Sequence, residues 1–254
     1  MLLGMFLLVA AAYLFGKPAS LLADTAYLFP VFLSVFAGFF AAETYGFKSH
    51  NGKALLLLAS GLAFWTTGEL LWYIFKNFLN LDPFPSAADV FFLLAYPLLF
   101  VGILYGTKLA RIKWRELDKK KALVDLAAVI VLSAAAAYWG IYKAYNSEVS
   151  LLENLILTGY GVADLVLIGA LILSLGTARA FDGGRFGFLW KILTAGFFFI
   201  LVADILFAIY QTDYNSGLVL YTLVDMAWIA GYFLIAYGLF DNALALRSIQ
   251  KKME

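Results

Sequence analysis

The chain has 254 residues, of which 64% are hydrophobic and only 14% are charged, and its formal net charge is +1. A soluble domain is about half apolar and a quarter charged, so this composition excludes a water-soluble fold. The near-neutral charge excludes a nucleic-acid-binding surface, which needs clustered basic residues. Cysteine is absent, which excludes disulfides, thiolate nucleophiles and cysteine-based metal sites.

Long apolar runs predict an all-α polytopic membrane protein with about eight transmembrane helices. Each run approaches the length of about 20 residues that crosses a hydrocarbon core, and charged or turn residues bound it. The runs use up nearly the whole chain, so we expect one transmembrane domain over residues 1–254. In chain order the predicted spans cover residues 2–16, 21–43, 53–76, 87–108, 122–144, 151–176, 187–210 and 217–240.

The first run is short, and its Val9-Ala10-Ala11-Ala12 resembles the end of a signal peptide. A signal peptide should have a basic residue before its apolar run, and this chain has none there. We therefore predict a retained span, with a cleaved signal as the alternative.

Basic residues predict the orientation of the spans. The loop at residues 108–121, between the fourth and fifth spans, holds most of them, while the alternate connections are poor in cations. By the positive-inside rule both termini and this loop are cytoplasmic, in a multi-pass protein of the cell membrane. Topology alone explains the basic loop, and docking of a partner or of anionic lipid is the alternative. The cations of the predicted cytoplasmic side are Lys48, Lys53, Arg111, Lys113, Arg115, Lys119, Lys120, Lys121, Arg179, Arg185, Arg247, Lys251 and Lys252.

An internal repeat relates the two halves of the chain. The segment Gly61–Trp72 aligns with Gly196–Phe207, and each has a carboxylate eight residues after its glycine. Further along, Asp89 with Tyr96 aligns with Asp225 with Tyr232, seven residues apart in both. Weaker matches at Ala23-Asp24 and Ala163-Asp164 complete four helical hairpins of one topology. We predict half-repeats at about 1–112 and 122–246, related by an axis along the membrane normal.

Acidic residues within the spans are the candidate site, because a carboxylate in a bilayer usually faces the bundle interior. Glu69 and Asp204 lie about two turns from the outer ends of the third and seventh spans. Asp89 and Asp225 lie near the outer starts of the fourth and eighth spans, and each shares a helix face with a tyrosine. The predicted result is an outward-opening, acidic, aromatic-lined cavity, formed by Glu69, Asp89, Tyr96, Asp204, Asp225 and Tyr232.

Structural roles compete with function at these acids. Ser86 to Asp89 fits a capping box after Pro83 and Pro85, and Ser150 to Glu153 fits another. Glu69 and Asp204 have no cap available, so there a polar contact between helices is the alternative. Asp164 lies near mid-membrane if its span is continuous, and in the outer third if the span breaks at Gly159–Gly161.

No lysine or arginine is predicted at the depth of these acids, because Lys76 lies at the surface and Lys191 on the inner side. The acids must then be protonated, hydrogen-bonded or occupied by a cation. The sequence shows no nucleophile with a base, no metal-ligand set and no cofactor motif, so we predict no catalytic residues, metal or cofactor. The one histidine, His50, is predicted to be solvated in a cytoplasmic loop.

The stretch from Gly68-Glu69 through Pro85-Ser86-Ala87-Ala88-Asp89 to Tyr96-Pro97 resembles a family motif. It is similar to the multispan N-terminal membrane regions of bacterial diguanylate cyclases (GGDEF and EAL proteins) and related signalling proteins. Phe92 stands where that motif usually has tyrosine. The resemblance implies a membrane sensor, and because the sequence ends at Glu254 without an output domain, we expect signalling through a separate cytoplasmic protein.

These observations predict an integral membrane sensor or ligand-binding module. Its partners would be the lipid bilayer and a small ligand, such as a proton, a cation or an apolar or lipid-like molecule. The alternative is a small cation- or proton-coupled transporter in which the same acids form the coupling site. An enzyme acting on lipid is the third possibility, disfavoured by the lack of a nucleophile and of metal ligands.

Overall fold

A computed structural model describes residues 4, 6–7, 9–11, 21–107, 119–181, 183–210 and 218–253. Within these ranges all regular structure is helical. Short π-helical segments, Phe75–Leu79 and Tyr138–Tyr142, follow the second and fourth α-helices directly. The α-helices are α1 Leu21–Tyr45, α2 His50–Ile74, α3 Ala87–Thr107, α4 Lys119–Ala137, α5 Leu151–Ala180, α6 Arg185–Tyr210 and α7 Leu218–Met253.

The lengths and apolar character of these helices confirm the predicted class, an all-α membrane protein. In the described part of the chain, 6 helices are long and apolar enough to cross a membrane. They are Leu21–Tyr45, His50–Leu79, Ala87–Thr107, Leu151–Arg179, Arg185–Tyr210 and Thr222–Met253. The apolar stretch of α4, Leu126–Tyr142, is shorter. The predicted span at 2–16 and the basic loop at 108–121 lie largely outside the described residues, so a total of eight spans stays a prediction.

Six of the helices form a closed ring. Going round it, α1 packs against α2, α2 against α3, α3 against α5, α5 against α6, α6 against α7, and α7 against α1. Helix α4 lies outside the ring and packs against α5. Successive helices alternate in direction, so α1, α3, α5 and α7 begin at one end of the bundle, which we call the distal end. The opposite end, where α2 and α6 begin, is the proximal end.

Glycines allow two pairs of ring helices to pack backbone against side chain. A Cβ on Gly61 of α2 would lie 2.6 Å from Leu99 Cγ of α3, and a Cβ on Gly196 of α6 would lie 2.6 Å from Ile235 Cγ1 of α7. Distances this short exclude any larger residue unless the neighbour moves. In lipid, where helices gain little from hydrophobic burial, such close approach is a main source of association.

The proximal end differs from the prediction in two respects. Helix α7 continues to Met253 rather than ending near residue 240, and its Arg247 donates to Glu43 at 2.7 Å while lying 4.1 Å from the Phe40 ring centroid on α1. The prediction of a solvated His50 is wrong: His50 begins α2, stacks on Tyr105 with centroids 4.3 Å apart, and has Nε2 2.7 Å from the Tyr105 carbonyl oxygen. His50 reaches Tyr105 because α2 packs antiparallel to α3, so that the start of α2 lies beside the end of α3.

Candidate functional site

Glu69 lies inside the ring, on α2, and receives two tyrosine hydroxyls. Tyr27 of α1 donates to Glu69 Oε1 at 2.8 Å, and Tyr232 of α7 donates to the same oxygen at 3.4 Å. The carboxyl is partly buried, whereas Tyr232 is fully buried at 3% exposure. Glu69 therefore joins three neighbouring helices through polar contacts that are costly to break in an apolar interior.

Asp204 of α6 has one satisfied and one unsatisfied oxygen. The indole Nε1 of Trp228, on α7, donates to Asp204 Oδ1 at 2.8 Å. The second oxygen, Oδ2, is buried and accepts no hydrogen bond from any residue that the structure describes. A buried carboxylate oxygen without a donor is unfavourable, so a positive or hydrogen-donating group would be stabilised beside it.

Asp164 supplies a third carboxyl, from α5. It is buried at 6% exposure, and Tyr96 of α3 donates to its Oδ1 at 3.0 Å. The sequence left open whether the span breaks at Gly159–Gly161; the helix is continuous from Leu151 to Ala180, so Asp164 lies well inside the bundle.

The three carboxyls, Glu69, Asp164 and Asp204, form what we call the central acid cluster. Their hydrogen-bond donors are in ring contact: Tyr27 lies 6.5 Å from both Trp228 and Tyr232 between centroids, and Trp65 contacts both Tyr96 and Tyr232. Among the described residues, no set of three or more histidine, cysteine or acidic side chains has the spacing to hold a metal ion. The three carboxyls are therefore linked through aromatic side chains.

Each of the six ring helices contributes a polar side chain to this region. Trp65 of α2 lies one turn nearer the proximal end than Glu69. Its ring is edge-on to Tyr96 at 5.4 Å and to Tyr232 at 6.4 Å between centroids. The hydrogen-bonding groups, in ring order, are Tyr27, Glu69, Tyr96, Asp164, Asp204, and both Trp228 and Tyr232. The interior of the ring is therefore both acidic and aromatic, and the outward-opening cavity stays a prediction.

The predicted set of six residues falls into two levels. Glu69, Tyr96, Asp204 and Tyr232 belong to the region just described, whereas Asp89 and Asp225 are each seven residues nearer the helix start than their tyrosines. Seven residues of helix correspond to about 10 Å, so both aspartates lie closer to the distal end. Both are buried, at 1% and 4% exposure.

Asp89 has the capping role that its motif predicted. Its Oδ2 accepts the Ser86 backbone N–H at 2.6 Å, and Ser86 Oγ accepts the Ala88 N–H at 3.0 Å. The other oxygen, Oδ1, accepts the hydroxyl of Tyr160 on α5 at 2.7 Å. Asp89 thus both starts α3 and ties it to α5, and it does not contribute a free carboxylate. The box at Ser150 and Glu153 is also present.

Lys76 lies at the distal end, as predicted, and does not reach the central acid cluster. Its Nζ is 3.0 Å from Asp24 Oδ2, and Asn77 Nδ2 donates to the same aspartate at 3.0 Å. One turn inward, Thr25 and Tyr73 share a 2.8 Å hydrogen bond. These contacts join the start of α1 to the end of α2, so Lys76 helps to hold these two helices together.

The sequence alone did not single out Tyr27, Tyr160 or Trp228. A signal existed for Trp228, since it lies four residues before Tyr232 and therefore on the same face of the helix. Tyr27 and Tyr160 could not be found in this way, because their partners lie on other helices.

The chain has no significant match among known protein families, among curated proteins or among solved structures. Its resemblance to the membrane regions of cyclases therefore stays an expectation from the motif at residues 68–97.

Proposed function

We propose that the protein is an integral membrane sensor or ligand-binding module, and that its site is the central acid cluster with the aromatic side chains around it. One observation carries the proposal: all six ring helices contribute a polar side chain to the same interior region. A group bound there would contact every ring helix at once. Its binding would then alter helix packing, which is what a membrane sensor has to convert into a signal.

We also propose that the ring consists of two related halves, α1–α3 and α5–α7. The neighbour relations support this, because α1–α2–α3 and α5–α6–α7 follow one another in the same order, and α3 meets α5 as α7 meets α1. If Gly61 corresponds to Gly196 and Asp89 to Asp225, contacts between side chains in the first half should recur at the aligned residues of the second.

Three contacts recur in the second half at the aligned residues. Gly61 packs on Leu99, and Gly196 packs on Ile235, each partner ten residues after its aspartate. An aromatic pair recurs: Trp72 lies 6.5 Å from Phe92, and the aligned Phe207 lies 5.7 Å from Trp228, between ring centroids. A polar contact recurs at the helix ends, where His50 meets Tyr105 and the aligned Arg185 meets Asp241. Agreement at both ends and in the middle of the helices supports a genuine repeat of three helices. A fourth member of each half, at 2–16 and at α4, completes the proposed half-repeats.

The chemistry of the site favours a positively charged ligand or a proton. When ionised, Glu69 and Asp204, which align in the proposed repeat, can accept hydrogen bonds but cannot donate them. The carboxyl oxygen Asp204 Oδ2 has no donor among the described residues. Two like charges in one apolar interior repel, so binding of a cation or a proton relieves an unfavourable interaction. An anionic ligand would add to that repulsion.

The alternative is a small cation- or proton-coupled transporter. The observation that favours it is the place of the acids: Glu69 belongs to one proposed half and both Asp164 and Asp204 to the other. In transporters built from repeats, coupling-ion sites lie between the halves, and motion of one half against the other opens them alternately.

Reconstitution in liposomes separates the two functions. Thermal unfolding of the purified protein in neutral detergent would be followed at increasing concentrations of protons, Na⁺, K⁺ and a small organic ammonium ion. Flux of the stabilising species would then be measured in proteoliposomes. Asp204→Asn is the test variant. Gly169→Ala is the matched control, because a Cβ there meets nothing within 4 Å.

A sensor or binding module gives a stabilisation that is lost in Asp204→Asn, retained in Gly169→Ala, and accompanied by no flux. Flux that disappears in Asp204→Asn would instead assign the transporter. Equal stabilisation of Asp204→Asn and of the unchanged protein by every cation would contradict both, because the site would then not be the central acid cluster.

The proposed setting is the cell membrane, with multiple spans and both termini in the cytoplasm. If the protein senses, the signal has to reach a separate cytoplasmic protein, and the basic loop at residues 108–121 is the surface that we propose for it. Accessibility labelling of single cysteines, introduced at Lys48 and at Glu148, tests the orientation: only the second should react from outside intact cells. The natural chain has no cysteine to interfere.

A further inference from the structure

A groove lies towards the proximal end, between the start of α6 and the middle third of α7. Its volume is about 410 Å³, and its lining residues are Gly183, Gly184, Arg185, Phe188, Lys191, Tyr237 and Asp241. It is on the outer surface of the ring, far from the central acid cluster. The proposed function makes no use of it.

Two cations line the groove, Arg185 and Lys191. Arg185 Nη1 is 2.8 Å from Asp241 Oδ2, yet 65% of the Arg185 side chain remains exposed. A guanidinium has five N–H donors, so this contact with Asp241 leaves donors for a second acceptor. Lys191 is exposed on the same helix, six residues further on. Among the described lining residues, two cations thus accompany one carboxylate.

The start of α6 adds backbone donors to the same place. Phe188 N donates to Gly184 O at 3.0 Å, and this is the first turn of the helix. The amides that precede it, at residues 185–187, belong to the set that has no partner within an α-helix. Together with the helix dipole they favour an anion at this end.

The side walls are aromatic and partly exposed. Phe188 and Tyr237 are 36% and 39% exposed, and their rings meet edge-on at 6.2 Å between centroids. Tyrosine is enriched at the level of lipid headgroups, where one side is apolar and the other wet. The groove thus combines cationic side chains with an aromatic flank.

The aligned residues of the other proposed half make a different contact. There His50 stacks on Tyr105 with ring centroids 4.3 Å apart, and the amide of Gly52 is satisfied by Ser49 Oγ at 2.9 Å. In the proposed alignment, Arg185 and Asp241 correspond to His50 and Tyr105. An aromatic stack in one half thus corresponds to an ion pair with an exposed arginine in the other.

We infer that this groove binds the phosphate headgroup of an anionic phospholipid from the leaflet at the proximal end. Arg185, Lys191 and the first amides of α6 would bind the phosphate oxygens, and one acyl chain would follow Phe188 and Tyr237. A free phosphate ion has the same headgroup chemistry but cannot use the aromatic flank. The flank is the reason for assigning a lipid.

Thermal unfolding in neutral detergent tests the assignment with three additives: short-chain phosphatidylglycerol, short-chain phosphatidylcholine and inorganic phosphate. We expect phosphatidylglycerol alone to raise Tm at micromolar to millimolar concentration. In Arg185→Gln/Lys191→Gln its half-saturating concentration should rise about fivefold for each cation removed. Lys48→Gln/Lys53→Gln is the matched control, since it removes two exposed lysines at the same end of the other half and should leave the titration unchanged.

Three results would overturn the inference: equal stabilisation by phosphatidylcholine, an unchanged titration in the Arg185/Lys191 variant, or an equal effect of inorganic phosphate, which would make the site one for free anions. If the double variant does not fold, Lys191→Gln alone gives the same comparison. Native mass spectrometry of lipid adducts on the unchanged protein provides a second measurement.

Discussion

Trp228 Nε1 donates to Asp204 Oδ1 at 2.8 Å, while the other oxygen of that carboxyl is buried and accepts no hydrogen bond within the described residues. This pair joins α6 to α7 at the level of the central acid cluster. In the proposed repeat, Trp228 aligns with Phe92, whose side chain carries no hydrogen-bond donor. Both residues are aromatic, and of the two only Trp228 can donate to an acid.

Trp228→Phe should lower the free energy of unfolding by about 1–2 kcal/mol, because it leaves Asp204 Oδ1 buried without its donor. Unfolding in detergent, followed by intrinsic fluorescence and circular dichroism, measures the change. In an Asp204→Leu background the same substitution should cost much less, since no acceptor remains to be satisfied. Equal costs in both backgrounds would mean that Trp228 acts only through packing.

Tyr27→Phe should be more destabilising than Tyr232→Phe as far as hydrogen bonding to Glu69 is concerned. The Tyr27 bond is 2.8 Å long and the Tyr232 bond 3.4 Å, and hydroxyl donors are strongest below about 3.0 Å. We expect a loss of about 1 kcal/mol for the first and a smaller loss for the second. Thermal unfolding of the two variants side by side checks the order, and the reverse order would contradict this geometry.

Gly196→Ala should destabilise the α6–α7 pair by about 1–3 kcal/mol. A Cβ at this residue would lie 2.6 Å from Ile235 Cγ1 and 2.9 Å from the Gly231 carbonyl oxygen, and the backbone oxygen cannot rotate away. Gly169→Ala is the control: nothing lies within 4 Å, so the better helix propensity of alanine should leave stability unchanged or raise it slightly. If alanine is tolerated equally well at both glycines, α6 and α7 are further apart than these distances indicate.

Asp89→Ala should cost more than Ser86→Ala. Asp89 accepts two hydrogen bonds, from the Ser86 amide and from Tyr160, whereas Ser86 Oγ accepts one from Ala88. Loss of a cap costs about 0.5–2 kcal/mol, and the freed Tyr160 hydroxyl adds to the cost for Asp89. The pair Asp89→Ala and Tyr160→Phe, measured singly and together by thermal unfolding, should be non-additive. If the two losses of stability simply add, Asp89 and Tyr160 do not interact energetically, and the predicted coupling between the cap and α5 is wrong.

The sequence by itself determined the class of the protein and the residues of interest. Apolar runs of about 20 residues leave no soluble alternative, and a carboxylate within such a run has to face the bundle interior, so Glu69 and Asp204 could be selected without coordinates. Capping at Asp89 and Glu153 was also predictable, because caps depend on side chains within one turn. The aligned acids and tyrosines predicted which helices would correspond.

The tertiary structure decided which of these residues meet. Helical periodicity fixes the face of a residue on its own helix, but the partner across the ring depends on how all six helices pack, and so Tyr27 and Asp164 could not be placed near Glu69 and Asp204 in advance. The structure also places Asp89 and Asp225 nearer the distal end than Tyr96 and Tyr232, and it extends α7 beyond the predicted span, where Arg247 binds α1. Contacts within one turn of a helix follow from the sequence, whereas contacts between six helices depend on how all of them pack.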